Sequence, residues 1–115
     1  MRDDKENLIV TMTFQFSLDV IDFCDELELK KKYKMANQLW RSGTSIGANV
    51  REAQNAESKD DFIHKMKIAV KEADETEYWL LLCKHSKSYT ANEALSSKVS
   101  EIIRIISKII STSKK

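Results

Sequence analysis

The chain has 115 residues, enough for one domain around a modest core. It holds no Pro and two Gly, against usual shares of about 5% and 7%, which excludes a turn-rich sheet fold and leaves an all-α one. Charged residues make up 32% of the chain and cancel to +1, so net charge by itself argues for neither nucleic acid nor a membrane surface.

The N-terminus is charged and lacks the apolar run of a signal peptide. Residues 1–12 read as an arm, with Leu8, Ile9 and Val10 in an extended stretch and Thr11 or Thr13 as a helix cap. Helix one is predicted over residues 13–31. At about 100° per residue, Phe16, Val20, Phe23 and Leu27 form one stripe. Phe14, Leu18 and Ile21 form a second stripe nearly opposite. One stripe fits a core; the second implies another buried surface.

A lysine-rich turn follows, with Lys30, Lys31, Lys32 and Lys34 around Tyr33. Helix two is predicted over residues 34–56, its inner stripe being Met35, Leu39, Gly43, Ile46, Val50 and Ala53. Both glycines of the chain lie inside it, Gly43 and Gly47. Each costs roughly 0.5–1 kcal/mol relative to Ala within a helix. With Ser42, Ser45 and Ala48 beside them, they mark a close helix–helix contact that offsets the cost.

Ser58 and Asp61 have capping-box spacing and open helix three. Phe62, Ile63, Met66, Ala69, Val70, Ala73, Leu80 and Leu81 line its inner face, with Glu77 inside the stripe and in need of a donor. Ile68, Trp79 and Leu82 form a second side. Thr90 and Glu93 have the same capping spacing before helix four, where Leu95, Val99, Ile102, Ile106 and Ile109 set the stripe and Ile103, Ile105 and Ile110 widen it. Residues 111–115 read as a frayed tail.

Four helices with short connections predict an antiparallel up-down-up-down four-helix bundle, a single domain over residues 1–115. The excess apolar surface predicts self-association, with Phe14, Leu18, Ile21 and Trp79 at a subunit interface. Trp40 and Trp79 read as packing anchors.

Charge is segregated along the chain. Residues 1–28 carry eight acids against two bases, and residues 29–56 carry six bases against one acid. Lys30, Lys31, Lys32 and Lys34 cluster at one turn, while Arg41 and Arg51 lie on the outward side of helix two. In a symmetric oligomer such cations recur and can hold a polyanion. The competing reading is a solvated turn, with acidic helix one neutralising helix two.

No catalytic or cofactor arrangement is legible. Asp61 and His64 have the spacing of a carboxylate–histidine metal pair, but a di-metal bundle needs two such pairs and two more carboxylates. Glu72, Asp74, Glu75 and Glu77 scatter around their helix, where Glu72 and Glu75 can pair with Lys71 or with cations on a neighbouring helix. Cys24 and Cys83 have no ligand spacing and read as buried free thiols of a reducing, cytoplasmic compartment. No run approaches the ~20 apolar residues of a membrane span. The expectation is a protein that is not an enzyme, without cofactor or metal.

Two blocks carry a family resemblance. The first runs from Gln38-Leu39-Trp40-Arg41-Ser42-Gly43 through Ser45-Ile46-Gly47-Ala48-Asn49-Val50. The second is Ser58-Lys59-Asp60-Asp61-Phe62-Ile63, followed by Ala69 and by Glu72-Ala73-Asp74-Glu75-Thr76-Glu77-Tyr78-Trp79-Leu80. In order and spacing they resemble the bacterial four-helix-bundle family of proteins encoded in 23S rRNA intervening sequences. Where that family has Asn-Ile-Ala-Glu-Gly, this chain has Asn49-Val50-Arg51-Glu52-Ala53, which adds a cation.

The resemblance implies a ring-shaped homopentamer. It also extends to the accessory proteins of diversity-generating retroelements, which bind nucleic acid and a reverse transcriptase through a basic surface. The expected partners are thus other copies of the chain and RNA or DNA, RNA before DNA. The alternative is a protein-interaction module with no direct nucleic-acid binding.

Overall fold

The computed structural model describes the backbone of residues 4–115 and the side chains of residues 8–115. Four helices follow one another: α1 (Asp4–Leu29), α2 (Tyr33–Ala53), α3 (Lys59–His85) and α4 (Glu93–Ser113). No strand occurs among the described residues. Each helix packs on the next and α4 closes on α1, while neither diagonal pair approaches closely. The result is an antiparallel four-helix bundle measuring 45 × 20 × 20 Å.

The helix contacts run in reverse order, as antiparallel neighbours require. The backbone at Gly47 lies against Thr13 and Ser17, and Gly43 lies against Val20. Further along, the Cys24 thiol donates to the Ala36 carbonyl at 3.3 Å. A Cβ at Gly43 would stand 2.8 Å from Val20 Cγ1, and one at Gly47 would stand 3.1 Å from the Thr13 carbonyl oxygen. The α1–α2 seam is therefore close because two side chains are absent from it.

Helix one is longer than its sequence pattern indicated. Residues 4–12, read as an arm, are helical; residues 1–3 of that segment lie outside the described residues. The β-branched Ile9 is disfavoured in a helix by only a few tenths of a kcal/mol, and full burial outweighs that. Thr13 is buried inside the helix rather than capping it, and its hydroxyl donates to the Ile9 carbonyl at 2.8 Å. At the other end of the chain, residues 111–113, read as frayed, complete α4.

The caps divide. Ser58 Oγ accepts the Asp61 N–H at 3.0 Å, and the Asp61 carboxylate accepts the Glu57 N–H at 3.1 Å. Helix α4 is capped by Asn92, not Thr90: its Oδ1 accepts the Leu95 N–H at 3.0 Å. Asn ranks above Thr at this position and stands directly before the first helical residue.

The Phe16–Val20–Phe23–Leu27 stripe of α1 and the inner stripe of α2 are buried throughout. On α3 the inner face is rotated slightly: Leu81 is exposed, and Thr76 and Cys83 are buried beside Met66, Ala69, Ala73 and Leu80. Thr76 Oγ1 lies 2.9 Å from Ser42 Oγ on α2 and 2.8 Å from the Glu72 carbonyl oxygen. Thr76→Val should therefore cost about 1–3 kcal/mol, because it leaves the buried Ser42 hydroxyl without its partner. Adding Ser42→Ala should recover much of that loss; urea denaturation of the single and double variants checks the pair.

Candidate nucleic-acid interface

Lysines stand at both turns of one bundle end. The α1–α2 turn carries Lys30, Lys31 and Lys32, and Lys34 is the second residue of α2. The turn closes as a Schellman motif: Lys32 N–H donates to the Leu27 carbonyl at 2.8 Å and Lys31 N–H to the Glu28 carbonyl at 2.9 Å. Lys31 holds the left-handed position, φ 61°, where Gly is the favoured residue.

The α3–α4 connection lies against this turn. Lys32 Nζ stands 5.3 Å from the centroid of the Tyr89 ring, within cation–π range. Lys84, in the last turn of α3, and Lys87, in the α3–α4 connection, therefore stand at the same end of the bundle, from a segment about fifty residues away in sequence. Lys84 Nζ is 3.7 Å from a Glu93 carboxylate oxygen, which takes up part of its charge. The sequence reading passed over Lys84 and Lys87. Their signal was topological: in an up-down bundle the first and third turns share an end.

The two arginines lie elsewhere. Arg41 is exposed on α2 but is held by α3, with Nη1 3.4 Å from Glu72 Oε1 and Nη2 hydrogen-bonded to Glu75 Oε2. Glu75 Oε2 also accepts the Trp79 indole N–H at 3.1 Å. Arg41 is thus already partnered within the bundle. Arg51, in the last turn of α2, is exposed. At 1.5 Å per residue it stands about 25 Å along the helix from Lys34. The six cations read from sequence therefore separate into a cluster of four, one intramolecular ion pair and one isolated site.

The apolar residues read as an interface also differ in setting. Phe14 is 61% exposed and Leu18 41% exposed. Ile21 is half-buried, and Trp79 packs partly against the core with its ring 5.4 Å from that of Tyr78. Trp40 is 52% exposed on α2, and the register of the α1–α2 contacts brings it level with Ile21. Tyr78, Leu81 and Leu82 are exposed on α3.

Several of the remaining polar groups have structural roles, while Gln54 Oε1 is buried without a hydrogen-bond partner among the described residues. Glu77, inside the α3 stripe, accepts a hydrogen bond from the Ser100 hydroxyl at 2.9 Å. Burial and the neighbouring Glu77 raise the Asp74 carboxyl above its ordinary value. The Cys24 thiol is pushed up to about 12 by burial and by Glu28 and Asp25, and burial raises Cys83 as well. Both stay protonated near neutral pH and are poor nucleophiles. Asp61 is engaged in its cap and His64 is exposed. Among the described residues no three His, Cys, Asp or Glu side chains converge as a metal site. No helix among them is long and apolar enough to cross a membrane.

The family model for the 23S rRNA-intervening sequence protein matches residues 5–110. A solved structure from Bacteroides thetaiotaomicron, described as a protein with unknown function from the S23 ribosomal protein family, is 39% identical to this chain. The similarity covers 93% of this chain and 98% of that one, with a TM-score of 0.88. No curated protein matches the chain.

Proposed function

The chain belongs to the 23S rRNA-intervening sequence protein family, and from that premise we propose that it is a non-enzymatic, self-assembling helical bundle that holds RNA at its lysine-rich end. The observation that carries this reading is the lysine-rich turn of Lys30, Lys31, Lys32 and Lys34, two of which, Lys30 and Lys32, meet the α3–α4 connection at Tyr89. Several ammonium groups on one exposed surface bind phosphates by displacing counterions, without reading base sequence. The ring-shaped homopentamer implied by the family resemblance repeats that end around its axis and multiplies weak contacts.

Arg41 contributes less in this reading than its exposure suggests, because Glu72 and Glu75 already neutralise it. A protein-interaction role is the second reading, favoured by the exposed Trp40, Phe14 and Leu18.

Light scattering with and without RNA at several salt concentrations tests the proposal. An oligomer that forms a heavier, salt-sensitive complex supports it; an oligomer indifferent to RNA moves the function to a protein partner. Replacing Lys30, Lys31, Lys32 and Lys34 with Gln should reduce the log–log salt slope by about 3, at roughly 0.7 per single-strand phosphate contact. Lys31→Gly should weaken binding while stabilising the fold by about 1 kcal/mol, because it relieves the left-handed residue. RNA affinity and thermal stability moving in opposite directions would separate the charge effect from damage to the turn.

A further inference from the structure

The α1–α2 and α3–α4 turns enclose a pocket of about 110 Å³ at the basic end. Phe23, Leu27 and Tyr89 give it apolar walls, and Lys30, Lys32 and Thr90 add polar groups. Tyr89 packs partly against the core, and the Lys32 ammonium stands over its ring. Another group can lie on that ring only by displacing the Lys32 ammonium. The N-terminus of α2 lies at the same end with no side-chain cap and no acid in its first turn, so its own residues leave its positive pole uncompensated.

An aromatic face beside two ammonium groups suits a planar base joined to a phosphate. We infer that this pocket is a nucleotide subsite for single-stranded RNA, in which one base lies on Tyr89 while Lys32 leaves the ring for the adjoining phosphate and Lys30 joins it. The inference rests on the RNA-binding reading above and adds the strand type and the residue that selects it. Bases inside a duplex are already stacked and unavailable to Tyr89, so the subsite favours single strands. Glu26 is the acid on the pocket wall. Its charge opposes a bound phosphate, so its removal has a predictable sign.

The test is fluorescence anisotropy with a labelled 20-nucleotide oligouridylate and a 20-base-pair RNA duplex, at about 50 mM salt, where phosphate contacts are strong. Wild type should prefer the single strand. Tyr89→Leu should weaken single-strand binding by about 10-fold, within the range of one lost base stack, and leave duplex binding unchanged. Tyr89→Phe should retain wild-type affinity, which guards against a packing defect. Glu26→Gln, at an exposed position, should tighten single-strand binding several-fold. If Tyr89→Leu alters neither ligand, or both equally, and Glu26→Gln has no effect, the subsite is wrong although RNA binding stands. If wild type binds neither RNA, the functional reading fails and the subsite with it.

Discussion

Gly43→Leu should lower the stability of the bundle by about 3 kcal/mol, near the upper end of ordinary overpacking costs. The first atom added at Gly43 already lies 2.8 Å from Val20 Cγ1 and 2.9 Å from Cγ2. Val20 is fully buried and β-branched, so it has no alternative rotamer into which to withdraw. The rest of a leucine must then separate α1 from α2 along a seam that also carries the Cys24–Ala36 contact.

Gly43→Ala decides between two opposed effects. Alanine gains about 1 kcal/mol of helix propensity but makes the same first contact, so a net loss of about 1 kcal/mol is expected. Combining Gly43→Ala with Val20→Ala should be less damaging than the sum of the two changes, because the pair shares one space. At Gly47 the nearest atom is a backbone oxygen at 3.1 Å, but the position is only half-buried. Leucine there can turn toward solvent and should cost less. Urea midpoints at one fixed protomer concentration measure these variants and Val20→Ala alone, since self-association would otherwise alter apparent stability. An unchanged midpoint for Gly43→Leu would mean that the seam is not tight in solution.

The double substitution Phe14→Asp with Leu18→Asp should abolish the proposed self-assembly and leave a 13.3 kDa monomer with its helix content intact. Both side chains point away from the core and are 61% and 41% exposed in the single chain. Phe burial at an interface removes on the order of 150–250 Å² from water, whereas a carboxylate there needs a partner or stays hydrated. Ile21→Asp should act differently, because Ile21 is half-buried and its replacement also weakens the α1–α2 packing. Light scattering and circular dichroism read the two effects separately. A wild-type mass of 13.3 kDa at high concentration would refute self-association. Unfolding of the double variant would instead place that stripe in the core.

The α1 and α2 core faces were legible because a single apolar stripe at helical period has one place to go in a small bundle. The α3 face was less so. Thr76 and Cys83 are small and adaptable, and Thr76 is buried with its hydroxyl against that of Ser42 across the interface, which no periodicity along α3 reveals. Leu81 was misplaced for the same reason: apolar residues occur on both sides of that helix, and only packing against α2 and α4 fixes its rotation. The arm was misread because local β-branching was weighed without knowing that Ile9 and Thr13 would be covered.

Sequence by itself determined the all-α class, the order of four helices and the Ser58 cap, because periodicity, absent Pro and local hydrogen bonding are properties of neighbouring residues. It also held the resemblance on which family membership was first read. The tertiary structure decided which cations act together. Charge acts through space, and only the bundle brings the α3–α4 connection, with Lys87 and Tyr89, to the end that carries Lys30, Lys31, Lys32 and Lys34. In the same way Arg41 is neutralised by acids more than thirty residues away. Those distances follow from antiparallel packing and not from spacing along the chain.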